Sequence, residues 1–360
     1  MVLGMASDAN GLAARTMALR TRRIDACPMC GSTTVQRAFT LPDRLHGVPG
    51  QFDYDRCNCG AVYQNPRIIP EDLSRCYPSA YYTHASGAPA APADRGPSKT
   101  RMWLRDAITR SRRGERQATL PAVLGMLLGA SRWMRERAFY GLLDELIPRR
   151  PENGRALEIG CGAGHLLELL HKNDWKPEGV EWDSAAAAVA RQRTGLPVRV
   201  GDYAHLDLPQ GEYDLVVLQH VFEHLPDPAE ALRMLGCLLR PRGRLVLTFP
   251  NPRSLGARLF GRHWFHWDPP RHLVIAPSGA VAEAGRRAGL ALVSRRTFTR
   301  PAEGGFAASR ACRAGVNVQD VRPSVSDALA RHASAALAPL GLGEETVIVF
   351  EPAGRSTLAG

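Results

Sequence analysis

Apolar and polar positions alternate with two different periods along the second half of the chain. Ala156, Leu157 and Ile159 form a short apolar run of the kind a buried strand needs, and Leu166, Leu167, Leu169 and Leu170 follow at helical spacing. The pattern then repeats. Residues 177–180 predict a second short strand, the alanine-rich residues 183–193 a helix packed closely on a sheet, 213–218 a further strand and 228–239 a helix. Pro241-Arg242-Gly243 turns the chain into a strand at 244–248. Beyond residue 250 the spacing predicts a helix over 278–288, a strand over 290–295, a helix over 324–338 and a last strand at 346–350. Strands alternating with helices predict an α/β fold, with a mostly parallel sheet covered on both faces.

The first half reads differently. Residues 1–24 are polar and lack apolar periodicity, which predicts a tail. A small module is expected over 25–84 and a linker over 85–118, where Ala, Pro and Gly dominate residues 86–98. A helical lead-in is expected over 119–154, with an apolar stretch at 120–130 and a helix around 133–146. The α/β domain then occupies 155–360, with a segment rich in aromatic and imidazole groups inside 251–275.

The chain of 360 residues is long enough for two modules and a sizeable core. Its net charge of +11 raises the question of a polyanionic partner. Lys99, Lys172 and Lys176 are the lysines, so arginine carries nearly all of that charge, and we assign the larger share to codon bias rather than to nucleic acid. No signal peptide and no apolar stretch of membrane-spanning length is apparent, so a cytoplasmic location is expected. Residues 101–137 flank their apolar stretch with arginines, which keeps a peripheral membrane contact open as a second reading. The pattern sets no oligomeric state.

Four of the eight cysteines form a pattern in a chain expected to keep its thiols reduced. Cys27 and Cys30 stand two residues apart before Gly31, and Cys57 and Cys59 follow at a distance that a β-hairpin spans. The arrangement reads as a zinc ribbon with a structural zinc ion. The second pair departs from the usual form, since Asn58 alone separates its cysteines. Either that turn is tighter, or Cys76 or His46 supplies a ligand.

Between the first strand and its helix stand Gly160, Gly162 and Gly164, which let backbone approach a ligand where a Cβ would clash. Glu181 lies about 20 residues on, where a ribose diol would need an acceptor. A dinucleotide fingerprint needs glycine where His165 stands, so the spacing argues against NAD. Glu158, Gly160, Gly162 and Gly164 instead resemble the acid-x-Gly-x-Gly-x-Gly motif of class I S-adenosylmethionine (SAM) dependent methyltransferases. The resemblance implies a seven-stranded Rossmann-like sheet with an antiparallel final strand. It also implies SAM contacts from Glu158, Gly160, Cys161, Gly162, Gly164, Glu181, Trp182, Asp202, Tyr203, Gln219 and His220.

Residues just after the fourth strand of such a sheet face the reacting groups. Here they are Gln219-His220-Val221-Phe222-Glu223-His224, similar to the His-x-x-Glu-His of sugar C-methyltransferases and small-molecule O-methyltransferases. That resemblance makes His224 and Glu223 the candidates for proton abstraction; the alternative is a purely structural cap. His263, Trp264, His266, Arg271 and His272 are the expected acceptor contacts, since rings stack on planar groups or sugars and imidazoles bond hydroxyls.

The cysteine module, Asn65-Pro66-Arg67 and Tyr77-Pro78-Ser79-Ala80-Tyr81-Tyr82 together resemble the front half of bacterial methyltransferases that join a ribbon to a SAM domain. Pro250-Asn251-Pro252 and Trp267 to Leu273 resemble their back half. The resemblance implies methyl transfer to an oxygen or carbon of a small molecule, with a sugar or cell-surface polysaccharide precursor as acceptor. An rRNA or tRNA methyltransferase and a non-catalytic SAM-binding scaffold are the alternatives.

Overall fold

The computed structural model describes residues 18–77, 154–300 and 304–354, with Trp103, Ala107 and Leu127 as single positions within helix. The front of the chain supplies β1 (Thr21–Arg22), β2 (Val35–Leu41), β3 (Phe52–Cys57), β4 (Val62–Gln64) and β5 (Arg67–Ile68). β2, β3 and β4 form an antiparallel meander, while β1 pairs β5. The expected tail is therefore shorter than predicted. Thr21 and Arg22 pair with Ile68 and Arg67, and Arg20 holds the buried Asp72 through its backbone N–H and its guanidinium, each at 2.8 Å. Apart from the three single positions, the expected linker and helical lead-in lie outside the described residues.

The second half builds β6 (Arg155–Ile159), β7 (Lys176–Glu181), β8 (Val198–Val200), β9 (Tyr213–Gln219), β10 (Leu239–Pro250), β11 (Val274–Ile275), β12 (Leu290–Phe298) and β13 (Glu345–Pro352). Seven of these form one sheet in the order β12-β13-β10-β9-β6-β7-β8. Every neighbouring pair is parallel except those of β13, which runs antiparallel to β10 and β12. The expected sheet and its antiparallel last strand are both present.

The central strands are apolar almost throughout because both of their faces are covered. Leu157, Ile159, Val216 and Leu218 face one core with Leu232 and Leu235 of helix Pro228–Leu238 and Val281 of helix Ser278–Arg287. Ala156, Leu215 and Val217 face the other, with Leu166 and Leu170 of helix His165–Lys172. Removing one such leucine side chain costs about 2–5 kcal/mol, so each face is held by several independent contributions. The strand order reverses direction between β6 and β9, and that switch point opens a crevice beyond their carboxyl ends.

Two of the departures from the sequence reading bear on the site. Helix Gly305–Ala314 was not expected, since its alanines and arginines carry only a narrow apolar stripe. β11 lies inside the segment assigned to the acceptor, yet it joins the front sheet: Val274 pairs Tyr63 and Ile275 pairs Val62. The front meander and the α/β domain thus share a sheet of order β11-β4-β3-β2.

Candidate functional site

The loop after β6 is shaped by its glycines. Gly160, Gly162 and Gly164 have φ of +70°, +50° and +79°, a region costly for other residues. A Cβ on Gly160 would stand 2.4 Å from Val221 Cγ2, so the loop and the segment after β9 approach without room for a side chain. Gly179 serves the same closeness from β7, where a Cβ would meet Cys161 Sγ at 2.7 Å. Cys161 is buried in that contact.

Two buried carboxylates lie beneath this loop. Glu181 accepts from the backbone N–H of Gly162 at 2.8 Å and of Asp183 at 3.0 Å, which braces the loop against the end of β7. Glu158 is 4% exposed, and its Oε2 has no hydrogen-bond partner. Burial first, then the charge of Glu181, hold Glu158 well above the usual carboxylate range. A ligand carrying positive charge would relieve both groups. Trp182, 46% exposed, and the exposed Asp202 stand at the ends of β7 and β8, with the partly buried Tyr203 beside them. Gln219 ends β9, paired with Thr248 of β10.

Beyond β9 the backbone turns sharply. His220 has φ of +55° and places its ring between two buried carboxylates, with Nε2 2.9 Å from Glu345 Oε2 and Nδ1 3.4 Å from Glu223 Oε1. Burial and Arg300 push this imidazole down, but Glu345 and Glu223 outweigh them and carry it up to about 9. Arg300 Nε also lies 2.7 Å from Glu345 Oε1. The expected cofactor contact His220 is therefore first of all the centre of an ion cluster.

Glu223 and His224 sit in a 3-10 turn, Phe222–His224, whose end is pinned by Leu273 N–H donating to Glu223 O at 2.8 Å. His224 Nδ1 is 2.9 Å from Arg271 O and 3.1 Å from the Tyr77 hydroxyl. A carbonyl only accepts, so Nδ1 carries the proton and Nε2 the lone pair. Burial, then His272, push His224 down to about 4, so its ring is neutral at physiological pH. His272 stacks edge-on at 4.7 Å between centroids. The Tyr77 ring also meets Trp182 at 5.6 Å, which places the front module against the cofactor side of the crevice.

The acceptor expectations need correction. Arg271 is fully buried: its guanidinium meets Asp43 at 2.9 Å and 2.9 Å, Asp268 at 3.0 Å and 2.5 Å, and Cys76 O at 3.2 Å. Its donors are occupied, so it anchors the segment and does not face an acceptor. Trp264 is equally buried and donates from Nε1 to Glu344 Oε2 at 3.1 Å. Glu344 also accepts from Ser254, Gly256 and Ser334, so one carboxylate gathers the whole segment. His263 lines a separate open cleft with Arg44, Arg262 and Val318. His266 and His272 alone of the five stand near the histidine cluster; His266 O accepts from His272 Nδ1 at 2.7 Å. Burial pushes His266 down to about 4.

The four cysteines converge, with their Sγ atoms within 4.8 Å of one another. Cys27 Sγ is 3.8 Å from Cys59 Sγ, and Cys30 Sγ is 3.4 Å from Cys57 Sγ. The second turn is the tight one: Cys57 ends β3, and Gly60 N–H donates to Cys57 O at 2.9 Å. Cys76 lies elsewhere, against Asp72 O and Arg271, and no ligand from His46 is needed. Arg287 closes the first turn by donating to Met29 O at 2.7 Å and Cys30 O at 3.2 Å.

The sequence reading missed Tyr77, Asp43, Glu344 and Glu345 as parts of this region. Tyr77 alone left a trace, as the first ring of an aromatic run.

A family profile described as a methyltransferase domain matches residues 131–295. Among curated proteins, the chain is 27% identical over 223 residues to a ubiquinone biosynthesis O-methyltransferase of Pseudomonas aeruginosa, covering 56% of this chain and 85% of that one. It is 26% identical over 183 residues to the protein of the same name from Aeromonas salmonicida, covering 45% and 77%. A solved SAM-dependent methyltransferase from Mesorhizobium loti aligns with a TM-score of 0.41 at 19% identity, over 58% of this chain and 97% of that one.

Proposed function

Because the chain is a class I SAM-dependent methyltransferase, we propose that it moves the methyl group of SAM to a hydroxyl oxygen of a small molecule. The observation that carries the reading is the pair of crowded elements at the switch point. The glycine loop over two buried carboxylates faces a turn that presents a neutral histidine.

The residues fit SAM. Glu158 lacks a partner, Glu158 and Glu181 share a buried site short of positive charge, and the cofactor brings a sulfonium and an ammonium. We assign Glu158, Gly160, Cys161, Gly162 and Gly164 to its amino-acid end, Glu181 to the ribose and Trp182, Asp202 and Tyr203 to the adenine. Gln219 and His220 close the site from β9.

When bound, SAM supplies an activated methyl group. An acceptor oxygen would take that methyl carbon, with sulfur keeping the electron pair of the S–CH₃ bond. This chain's part is to align the two and to accept the hydroxyl proton. Alignment is worth an effective molarity on the order of 10⁵–10⁸ M. His224, held by Arg271 O with its lone pair on Nε2, stands beside Glu223 where that proton must go, and it passes to solvent after transfer.

His266, His272 and Tyr77 bound the acceptor side. A sugar or cell-surface polysaccharide precursor is the acceptor class we propose, because imidazole and phenol groups are hydroxyl partners. The cysteine cluster supports a structural zinc, since four thiolates at these separations suit its tetrahedral geometry. Tracking labelled methyl from SAM through fractionated extract tests the reading. Label is expected among small molecules, and label confined to RNA would overturn it.

A further inference from the structure

We propose that Glu223, His224 and His272 form a binding site for one divalent transition-metal ion, a reading that rests on the acceptor hydroxyl arriving at this same cluster. One carboxylate oxygen and one ring nitrogen from each histidine lie within 4.8 Å of one another. An ion about 2.1 Å from each donor sets the donors roughly 3–4 Å apart, so the group needs to close only slightly.

The carboxylate is the strongest indication. Glu223 is 1% exposed, and neither of its oxygens has an aligned hydrogen bond. The protonated His220 has its Nδ1 3.4 Å from Glu223 Oε1, and the neutral His272 has its Nε2 at 3.9 Å. Buried carboxylates are otherwise satisfied by several donors, and one left without them is costly. A cation offsets that cost directly.

Both imidazoles are held in the tautomer that a ligand needs. Nδ1 of His224 faces Arg271 O at 2.9 Å, and Nδ1 of His272 faces His266 O at 2.7 Å. Each carbonyl fixes the proton on Nδ1 and leaves the lone pair on Nε2, the arrangement by which metal-binding histidines are held. The two elements that supply the ligands are joined next to them, through Leu273 N–H to Glu223 O at 2.8 Å. The donors are thus placed by backbone rather than by free side chains.

Two nitrogens and one oxygen favour a first-row transition ion over magnesium or calcium. Three protein ligands leave coordination positions for a hydroxyl, whose proton such an ion makes easier to lose. With the ion bound, His224 holds it in place of accepting the proton itself, and the hydroxyl proton passes to solvent water; without the ion, His224 accepts it.

The test is a titration with Co²⁺ of the full-length protein carrying one zinc per chain, at the cysteine cluster, read by visible absorption and calorimetry. One cobalt per chain is expected, with weak d–d bands and without the charge-transfer band that thiolate ligands would give. Glu223→Gln and His272→Gln should each weaken it on the order of 10-fold or more, with SAM affinity retained as the check on folding. No cobalt beyond the cysteine cluster, or a titration unchanged in both variants, overturns the site. The titration needs neither SAM nor acceptor, so cobalt binding without methyl transfer would count against the functional reading and for the metal site.

Discussion

Arg271 meets both carboxylate oxygens of Asp43 at 2.9 Å across 228 residues of sequence, with both side chains fully buried. Through Asp43 and Asp268 this one guanidinium locks the front meander to the segment that carries His272. Removing one partner of a buried pair leaves an uncompensated charge, which costs about 3–5 kcal/mol. Asp43→Ala should therefore lower unfolding stability by that order in urea titrations. Arg271→Lys should fail to substitute, because an ammonium cannot make the paired contacts of the guanidinium. A change under about 1 kcal/mol in Asp43→Ala would remove the tie from the account.

Gly160→Val should abolish SAM binding. Its φ of +70° disfavours a β-branched residue, and the new Cβ would collide with Val221 at 2.4 Å. Calorimetry with SAM reads this directly; unchanged affinity would mean the loop does not hold the cofactor.

Glu158 makes the cofactor-free protein sensitive to pH. Its carboxyl is held well above the usual range by burial and then by Glu181, so the folded state keeps a proton that the unfolded chain gives up near pH 4.3. Stability is full below that value and declines as pH rises toward the folded pKa. Glu158→Gln should flatten this decline in thermal melts taken at rising pH, and should weaken SAM binding. A wild-type stability that rises with pH because of this residue would reverse the sign and contradict its placement.

Zinc should copurify at about one ion per cysteine cluster, as the proposed four-thiolate site would hold it. Cys30→Ser should lose it and melt at lower temperature, since metal binding contributes to folding. Metal analysis of folded, active protein settles the matter: no zinc would return the four cysteines to ordinary packing.

Much of this was legible in the chain. Leu157, the glycines and Leu166 to Leu170 announced strand, loop and helix because local periodicity and local turn chemistry act together there. The cysteines announced their own convergence through spacing. Arg271 was misread as an acceptor contact because its partner Asp43 is far away in sequence, and no period records such a pairing. The same holds for Trp264 with Glu344 and for β11 with β4, where two residues of strand carry too little pattern to be seen. Tyr77 reaches His224 only because the shared sheet brings the front module across the crevice.

The most direct test of the account is the position of the transferred carbon. Wild-type protein, ¹³C-methyl SAM and small-molecule extract should give a product whose labelled carbon shows the chemical shift of an O-methyl group, and His224→Ala should lose that product while still binding SAM. Label on carbon, label in RNA, or full product formation by His224→Ala would contradict it.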